Sequence, residues 1–340
     1  MPLSLSFIKQ NCVSLKAIKP SIKLINQSTL VANRDTASNT KYRYYGTMLV
    51  GSSELTGRYW NGAASIFQKN SADNKSHKTL RKDIYLTNGS ADGCFTENSR
   101  KIFLGEDDGA VSIWSRIEND AWNLWNKDLS VAEHDGAVMS VDCLVPNKEY
   151  ITAGADGNIK VWDTVDLICI RNYSAAHGKS VQSVSVRPYS ETVFSSGSLD
   201  YYVSMWDDNI DSAALDLFKN DCGIRCLHWI DENHLIIGDE AGFISLIDVR
   251  KPGEATKLIE FPAAVHKIVV QPKCNRLSVC CDNKIVSVFG ISEDLKLSLI
   301  YENRNLHSNF VRGMVWDSDD RNVLHTVGWD GNLKTHKLPH

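Results

Sequence analysis

The chain alternates apolar and polar positions over short segments, punctuated by Asn, Asp and Gly, with no sustained helical period. Segments of that kind are half-buried strands, so the pattern predicts an all-β protein. Residues 151–163 (ITAGADGNIKVWD) show the unit most plainly: an apolar strand, a tight turn at Asp156-Gly157, then an alternating strand ending in Trp162-Asp163. An Asp-Gly pair supplies the positive φ that a tight hairpin needs. The unit returns at 102–115, 194–207 and 324–337, more loosely at 235–248 and 277–290, and in its second half at 61–68. Residues 116–130 have the apolar content of a short helix, but an outer strand fits the rhythm better. The polar stretch 69–83 reads as an exposed loop.

The turn positions are Asn61, Asp108, Asp156, Asp200, Ala241, Asn283 and Asp330, at intervals of 47, 48, 44, 41, 42 and 47 residues. Six residues after each stands Phe67, Trp114, Trp162, Trp206, Ile247, Phe289 or His336. Seven in-register units of that length match the WD-repeat period, in which each repeat builds one four-stranded blade. The expected architecture is therefore a single seven-bladed WD-repeat β-propeller over residues 41–340, preceded by an N-terminal arm over 1–40. Only four residues follow His336, too few for an outer strand in the last blade. The alternating stretch 21–30 (SIKLINQSTL) is the natural segment to pair with that edge and close the ring.

Composition narrows the function. The net charge is −4, so no whole-chain positive field invites direct nucleic-acid binding. No apolar run approaches the ~18–20 residues of a membrane span. Residues 1–8 lack the charged start of a signal peptide. Residues 1–34 carry lysines and one arginine but no acid, which reads either as an import address or, more simply, as a basic edge strand. The nine cysteines are scattered without a CxxC pair, which argues against a metal site and for a reducing compartment, the cytoplasm and also the nucleus. No cofactor motif is present.

Ser, His and Asp invite comparison with a hydrolase triad, yet they recur once per repeat. His134, Thr152, Asp156 and Trp162 stand at the same spacing as His177, Ser196, Asp200 and Trp206. His307, Thr326 and Asp330 repeat the pattern, with His336 in place of Trp. A catalytic site needs one constellation rather than one per repeat, so these read as structural tetrads that satisfy buried polar groups, and the chain as a non-enzyme. The blades without the full set (one, two, five and six) should rely more on apolar packing.

Unit one is the most irregular. Between strand 47–53 and strand 63–68 lies ELTGRYWNG (54–62), longer than a tight turn, with Arg58, Tyr59 and Trp60 side by side. Those residue types dominate binding hot spots, and a tryptophan folded back onto its blade is the alternative that composition leaves open. The segment LVGSSELTGRYWNGAASIFQ, and HSNFVRGMVWDSDDRNVLHTVGWDGNLKTHKLP near the end, resemble the first and last blades of the methylosome WD-repeat subunit. GDEAGFISLIDVRKP and the KVWD blade are similar to its middle blades. The resemblance spans roughly residues 40–340. It implies a non-catalytic partner of the type II protein arginine methyltransferase, which makes symmetric dimethylarginine. It further implies a hetero-oligomer that presents Arg-rich tails of Sm proteins and histones. The family's first-blade aromatic anchor falls on Trp60, flanked by Arg58 and Tyr59, and a last-blade contact falls on Phe310.

Acidic pairs at blade turns (Glu106-Asp107-Asp108, Asp207-Asp208, Asp239-Glu240, Asp319-Asp320) are candidates to attract such tails, or are simply solvated surface. An alternative function is a substrate receptor of a cullin-type ubiquitin ligase, because Ile247-Asp248-Val249-Arg250 faintly resembles the WDxR box of those receptors.

Overall fold

The computed structural model describes residues 24–26, 47–56, 59–69, 79–96, 100–117, 124–210, 212–271, 274–317 and 320–339. They form seven antiparallel sheets. Blade one holds β1 (Leu24–Asn26), β2 (Thr47–Thr56), β3 (Tyr59–Lys69) and β4 (Thr79–Leu86). Blade two holds β5 (Ser90–Thr96), β6 (Lys101–Glu106), β7 (Ala110–Arg116) and β8 (Trp125–Ala132). Blade three holds β9 (Val138–Val145), β10 (Glu149–Gly154), β11 (Ile159–Asp163) and β12 (Ile168–Tyr173). Blade four holds β13 (Val181–Val186), β14 (Val193–Ser198), β15 (Tyr202–Asp207) and β16 (Leu215–Lys219). Blade five holds β17 (Ile224–Trp229), β18 (His234–Asp239), β19 (Phe243–Asp248) and β20 (Thr256–Glu260). Blade six holds β21 (Val265–Gln271), β22 (Arg276–Cys281), β23 (Val286–Ile291) and β24 (Leu297–Asn303). Blade seven holds β25 (Val311–Trp316), β26 (Val323–Gly328) and β27 (Leu333–Lys337).

The first strand of each blade lies against the first strand of the next, β5 on β9, β9 on β13, β13 on β17, β17 on β21 and β21 on β25. These strands ring the centre. The core is a set of apolar layers between blades. Phe103 and Val111 of blade two interlock with Val141, Tyr150 and Trp162 of blade three, and the Phe103 and Tyr150 rings stack at 5.4 Å. Polar groups pin the same seams. Asp92 of β5 accepts the Val141 N–H of β9 at 2.8 Å, and Asp142 of β9 accepts the Val186 N–H of β13 at 2.8 Å. The layer between blades five and six is mostly aliphatic, built on Ile236, Val265, Ile268 and Leu277 around the ring of Phe289.

Three expectations from the sequence need correction. The N-terminal strand does not complete the last blade. Leu24–Asn26 pairs with β2, Leu24 opposite Val50, as the innermost strand of blade one. The reason lies in chain order: every other blade starts at its inner strand, and β2–β4 alone would leave blade one without one. Lying also against β25 and β26, β1 sits at the seam of the first and last blades, and the propeller begins well before residue 41. Among the described residues blade seven has three strands. Second, Asn61 is no turn residue. The β2–β3 ladder runs on through Glu54–Asn61, Leu55–Trp60 and Thr56–Tyr59. Third, residues 79–83 are not loop but the start of outer strand β4, held by the long β3 ladder.

Candidate docking site on the upper face

The tetrads define the two faces of the ring. In blade three the Trp162 indole N–H donates to Thr152 Oγ1 at 2.8 Å, and the Thr152 hydroxyl donates to His134 Nε2 at 2.8 Å. His134 Nδ1–H then donates to Asp156 at 3.0 Å. Blade four repeats the relay through Trp206, Ser196, His177 and Asp200 at 2.7, 2.7 and 3.0 Å. Each aspartate also accepts two backbone N–H groups, from Asp135 and Asn158 in blade three and from Gly178 and Tyr202 in blade four. Burial pushes His134 and His177 below the ordinary imidazole value, against the pull of Asp156 and Asp200, so both rings are neutral at pH 7. Burial alone would raise the aspartates, but backbone N–H donors and the histidines hold them low. Every donor in the relay has an acceptor, as buried polar groups require. These residues tie the loop before each blade to the turn between its second and third strands, so both loop sets share one face, here the upper face.

Blade seven extends the relay. Thr326, His307 and Asp330 take the usual places at 2.8 and 3.0 Å. His336 Nε2–H donates to Thr326 Oγ1 at 2.8 Å in place of an indole, and the Tyr301 hydroxyl of blade six donates to His336 Nδ1 at 3.1 Å. Burial, then the charges of His307 and His325, push His336 down to about 4. Blades two and five carry polar substitutes that do not follow the spacing of the tetrads. Trp114 donates to Ser112, and Ser112 to the buried Glu106 at 2.6 Å. Asn220 donates to the buried Asp239 at 3.0 Å.

The blade-one hairpin rises from this face. Gly62 stands where the other blades turn: a Cβ there would collide with the Asn88 carbonyl oxygen, as one at Gly109 would with that of His134. Past Gly62 the hairpin continues for three more pairs, which at ~3.4 Å per residue projects it roughly 10 Å further. Trp60 lies on this extension opposite Leu55, and Tyr59 opposite Thr56. Arg58 lies outside the described residues.

Blade seven is the ring neighbour of blade one and presents an aromatic pair on the same face. Phe310 is 36% exposed, and its ring lies 5.3 Å from that of Trp329. Behind them the Arg312 guanidinium is 5.0 Å from the Phe310 ring and 4.4 Å from the Trp329 ring. Arg312 is held by Asp282 of blade six at 2.5 Å. Such a locked cation–π stack sets two aromatic rings without rotamer freedom to lose on binding. Trp329 sits one residue before turn residue Asp330, a position with a recognisable sequence address.

Of the turn acids, Glu106 and Asp239 are buried and several others hold partners, while Asp108, Glu240 and Asp320 are exposed. Glu106 is buried and also faces Lys127 at 3.6 Å, while Asp108 accepts from Asn88. Asp208 pairs with Arg171 at 3.1 Å, Asp207 caps its own turn, and Asp239 is buried. Glu240 faces Arg225 at 3.8 Å and Asp320 accepts the Asn322 N–H, while Asp319 lies outside the described residues. In the WDxR-like segment Ile247 is buried, and Arg250 doubles back on Asp248 through two bonds of 2.8 and 2.9 Å. Among the described residues no three His, Cys, Asp or Glu side chains converge as a metal ion requires, and no helix is long and apolar enough to cross a membrane.

The "WD domain, G-beta repeat" family model matches residues 126–163 and 168–207, the two stretches that hold the full tetrads. The chain is a WD-repeat β-propeller. Over 312 residues it is 28% identical to Methylosome protein WDR77 of Xenopus laevis, covering 88% of each chain. It is 29% identical over 260 residues to a guanine nucleotide-binding protein subunit beta of Nicotiana tabacum, 71% of this chain and 67% of that one. It is 29% identical over 170 residues to mRNA export factor GLE2 of Chaetomium thermophilum, 48% and 45% of the two chains. The likeness to the methylosome protein extends over far more of the chain than the two stretches that the WD family model matches.

Proposed function

We propose that this propeller is a non-catalytic scaffold and substrate-presenting subunit of a protein arginine methyltransferase complex, with the type II enzyme as its partner and Arg-rich Sm-protein and histone tails as the substrates. The observation that carries the reading is similarity over 88% of the chain to a methylosome protein, in a chain whose first blade extends a hairpin bearing Trp60. Arg58, Tyr59 and Trp60 are its anchor, and Phe310 on the neighbouring blade is a supporting contact. A projecting strand pair that carries Tyr59 and Trp60 suits insertion into a pocket, because Trp, Tyr and Arg, the residue types of the segment 58–60, dominate binding hot spots. Symmetric dimethylation is then the enzyme's chemistry, and the propeller's role is to hold enzyme and tail in one assembly. The complex works in the cytoplasm and also in the nucleus.

The test is affinity purification of the tagged full chain from native extract. A stoichiometric methyltransferase in the eluate, with symmetric dimethylarginine formed on Sm tails, is the expected result. A cullin adaptor in its place selects the ubiquitin-ligase reading.

A further inference from the structure

Among the described residues, the turn between second and third strands uses a left-handed residue in five blades. In four of them it is glycine: Gly109 (φ 86°), Gly157 (φ 81°), Gly242 (φ 95°) and Gly331 (φ 71°). In blade four it is Tyr201, at φ 83°. For a bulky side chain that conformation is a true outlier. The site is crowded as well. A Cβ at Gly157 or Gly242 would press on the carbonyl oxygen of His177 or Phe261. Tyr201 holds the same place, since its carbonyl accepts the Asn220 N–H at 2.8 Å just as those of Gly157 and Gly242 accept from His177 and Phe261.

Packing does not offset the strain, for Tyr201 is 37% exposed. Its ring carries the Lys179 ammonium 5.0 Å from the centroid, and the adjacent Tyr202 ring carries that of Lys219 at 5.2 Å. Both lysines are exposed. The nearby Asp200 is saturated by His177, Gly178 and Tyr202, and Asp216 accepts from Ser204 at 2.7 Å. The donors left toward solvent are two ammonium groups beside two tyrosines, with the exposed Asp216 and Asp221 as counter-charges, neither of them within ion-pair distance of Lys179 or Lys219. Backbone strain retained at an exposed aromatic marks a contact site more readily than a framework residue. Tyrosine rings that already bear a cation have no place for an Arg-rich tail, while the ammoniums call for carboxylates.

We propose that the upper face of blade four is a second protein-contact site, three blades from the blade-one hairpin, which takes an acidic segment of a partner through Tyr201, Lys179 and Lys219. The test is an array of twelve-residue peptides in Glu/Asp-rich, Arg/Gly-rich and neutral Ser/Gly sets, probed with the full chain, with dissociation constants measured for the strongest binders. Acid-rich peptides should bind best. Tyr201→Gly should weaken them at least ~10-fold, the loss expected of a hot spot, while leaving Tm unchanged or higher. Lys179→Glu, which leaves the turn intact, should abolish the preference for acid-rich sequences. The proposal is overturned if Tyr201→Gly lowers Tm without touching peptide binding, because Tyr201 is then a packing residue. It is equally overturned if acid-rich peptides bind no better than neutral ones, or if Arg-rich peptides are the Tyr201-dependent binders.

Discussion

Blades three and seven run the same His–Thr–Asp relay and finish it differently. Blade three closes it with Trp162, which is fully buried between blades two and three. Blade seven closes it with His336, itself held by Tyr301, and places one of its tryptophans, Trp329, one residue before the turn beside the exposed Phe310. One blade spends its indole on the framework. The other satisfies the framework with an imidazole and turns its aromatic pair toward the face that the blade-one hairpin shares. In these two blades the offset of a tryptophan from the turn decides whether it closes the relay or stands beside an exposed ring.

The largest effect expected from breaking the comparison is in blade three. Trp162→Ala should lower stability by ~3–5 kcal/mol, as loss of a fully buried aromatic does, measured by urea denaturation. Trp329→Ala should cost far less in the same experiment, since its ring is only partly covered. Equal losses would erase the distinction between the two blades. Next comes Thr152→Val, which keeps the shape but strands the Trp162 N–H and His134 Nε2 in the interior. About 2–3 kcal/mol should be lost, and a loss near zero would mean that water enters to replace the hydroxyl.

The histidine ending gives blade seven a pH dependence that blade three shares only in part. The folded value of His336 is about 4, below the ~6.5 of an unfolded chain. Its neutral form stabilises the fold above the unfolded value, and that stability is lost as pH falls from ~6.5 toward 4. Between pH 7 and pH 5 the loss from this one residue is about 2 kcal/mol. His336→Trp should flatten part of the acid limb of a Tm-against-pH curve. An unchanged limb would place the sensitivity in His134, His177 and His307, whose values burial also lowers.

Much of this was legible in the chain because repeats multiply a weak signal. Asp156-Gly157 alone is one turn among many, but six further units in register make a ring. The tetrads were equally readable, because four residue types at fixed offsets leave few geometries. What escaped depends on contacts between repeats. The N-terminal strand had the right alternation, but which blade edge it meets is a matter of chain order in space. Arg312 and Asp282 lie 30 residues apart in different blades, and no local pattern joins them. The acids at the turns looked solvated because sequence does not show that Glu106 points inward to Ser112. Tyr201 was visible in principle, as the turn where Asp is followed by Tyr instead of Gly, once the turns were aligned.

The most direct test of the central claim measures one substitution in two ways. Trp60→Ala in the full chain should leave Tm within about 1 °C of the parent, because a residue on a projecting hairpin supports little of the core. The same variant should bind the purified methyltransferase more weakly by ~2 kcal/mol or more, roughly 30-fold in Kd. A Tm drop as large as that of Trp162→Ala, with binding by the surviving folded fraction unchanged, would contradict the account and return Trp60 to the framework.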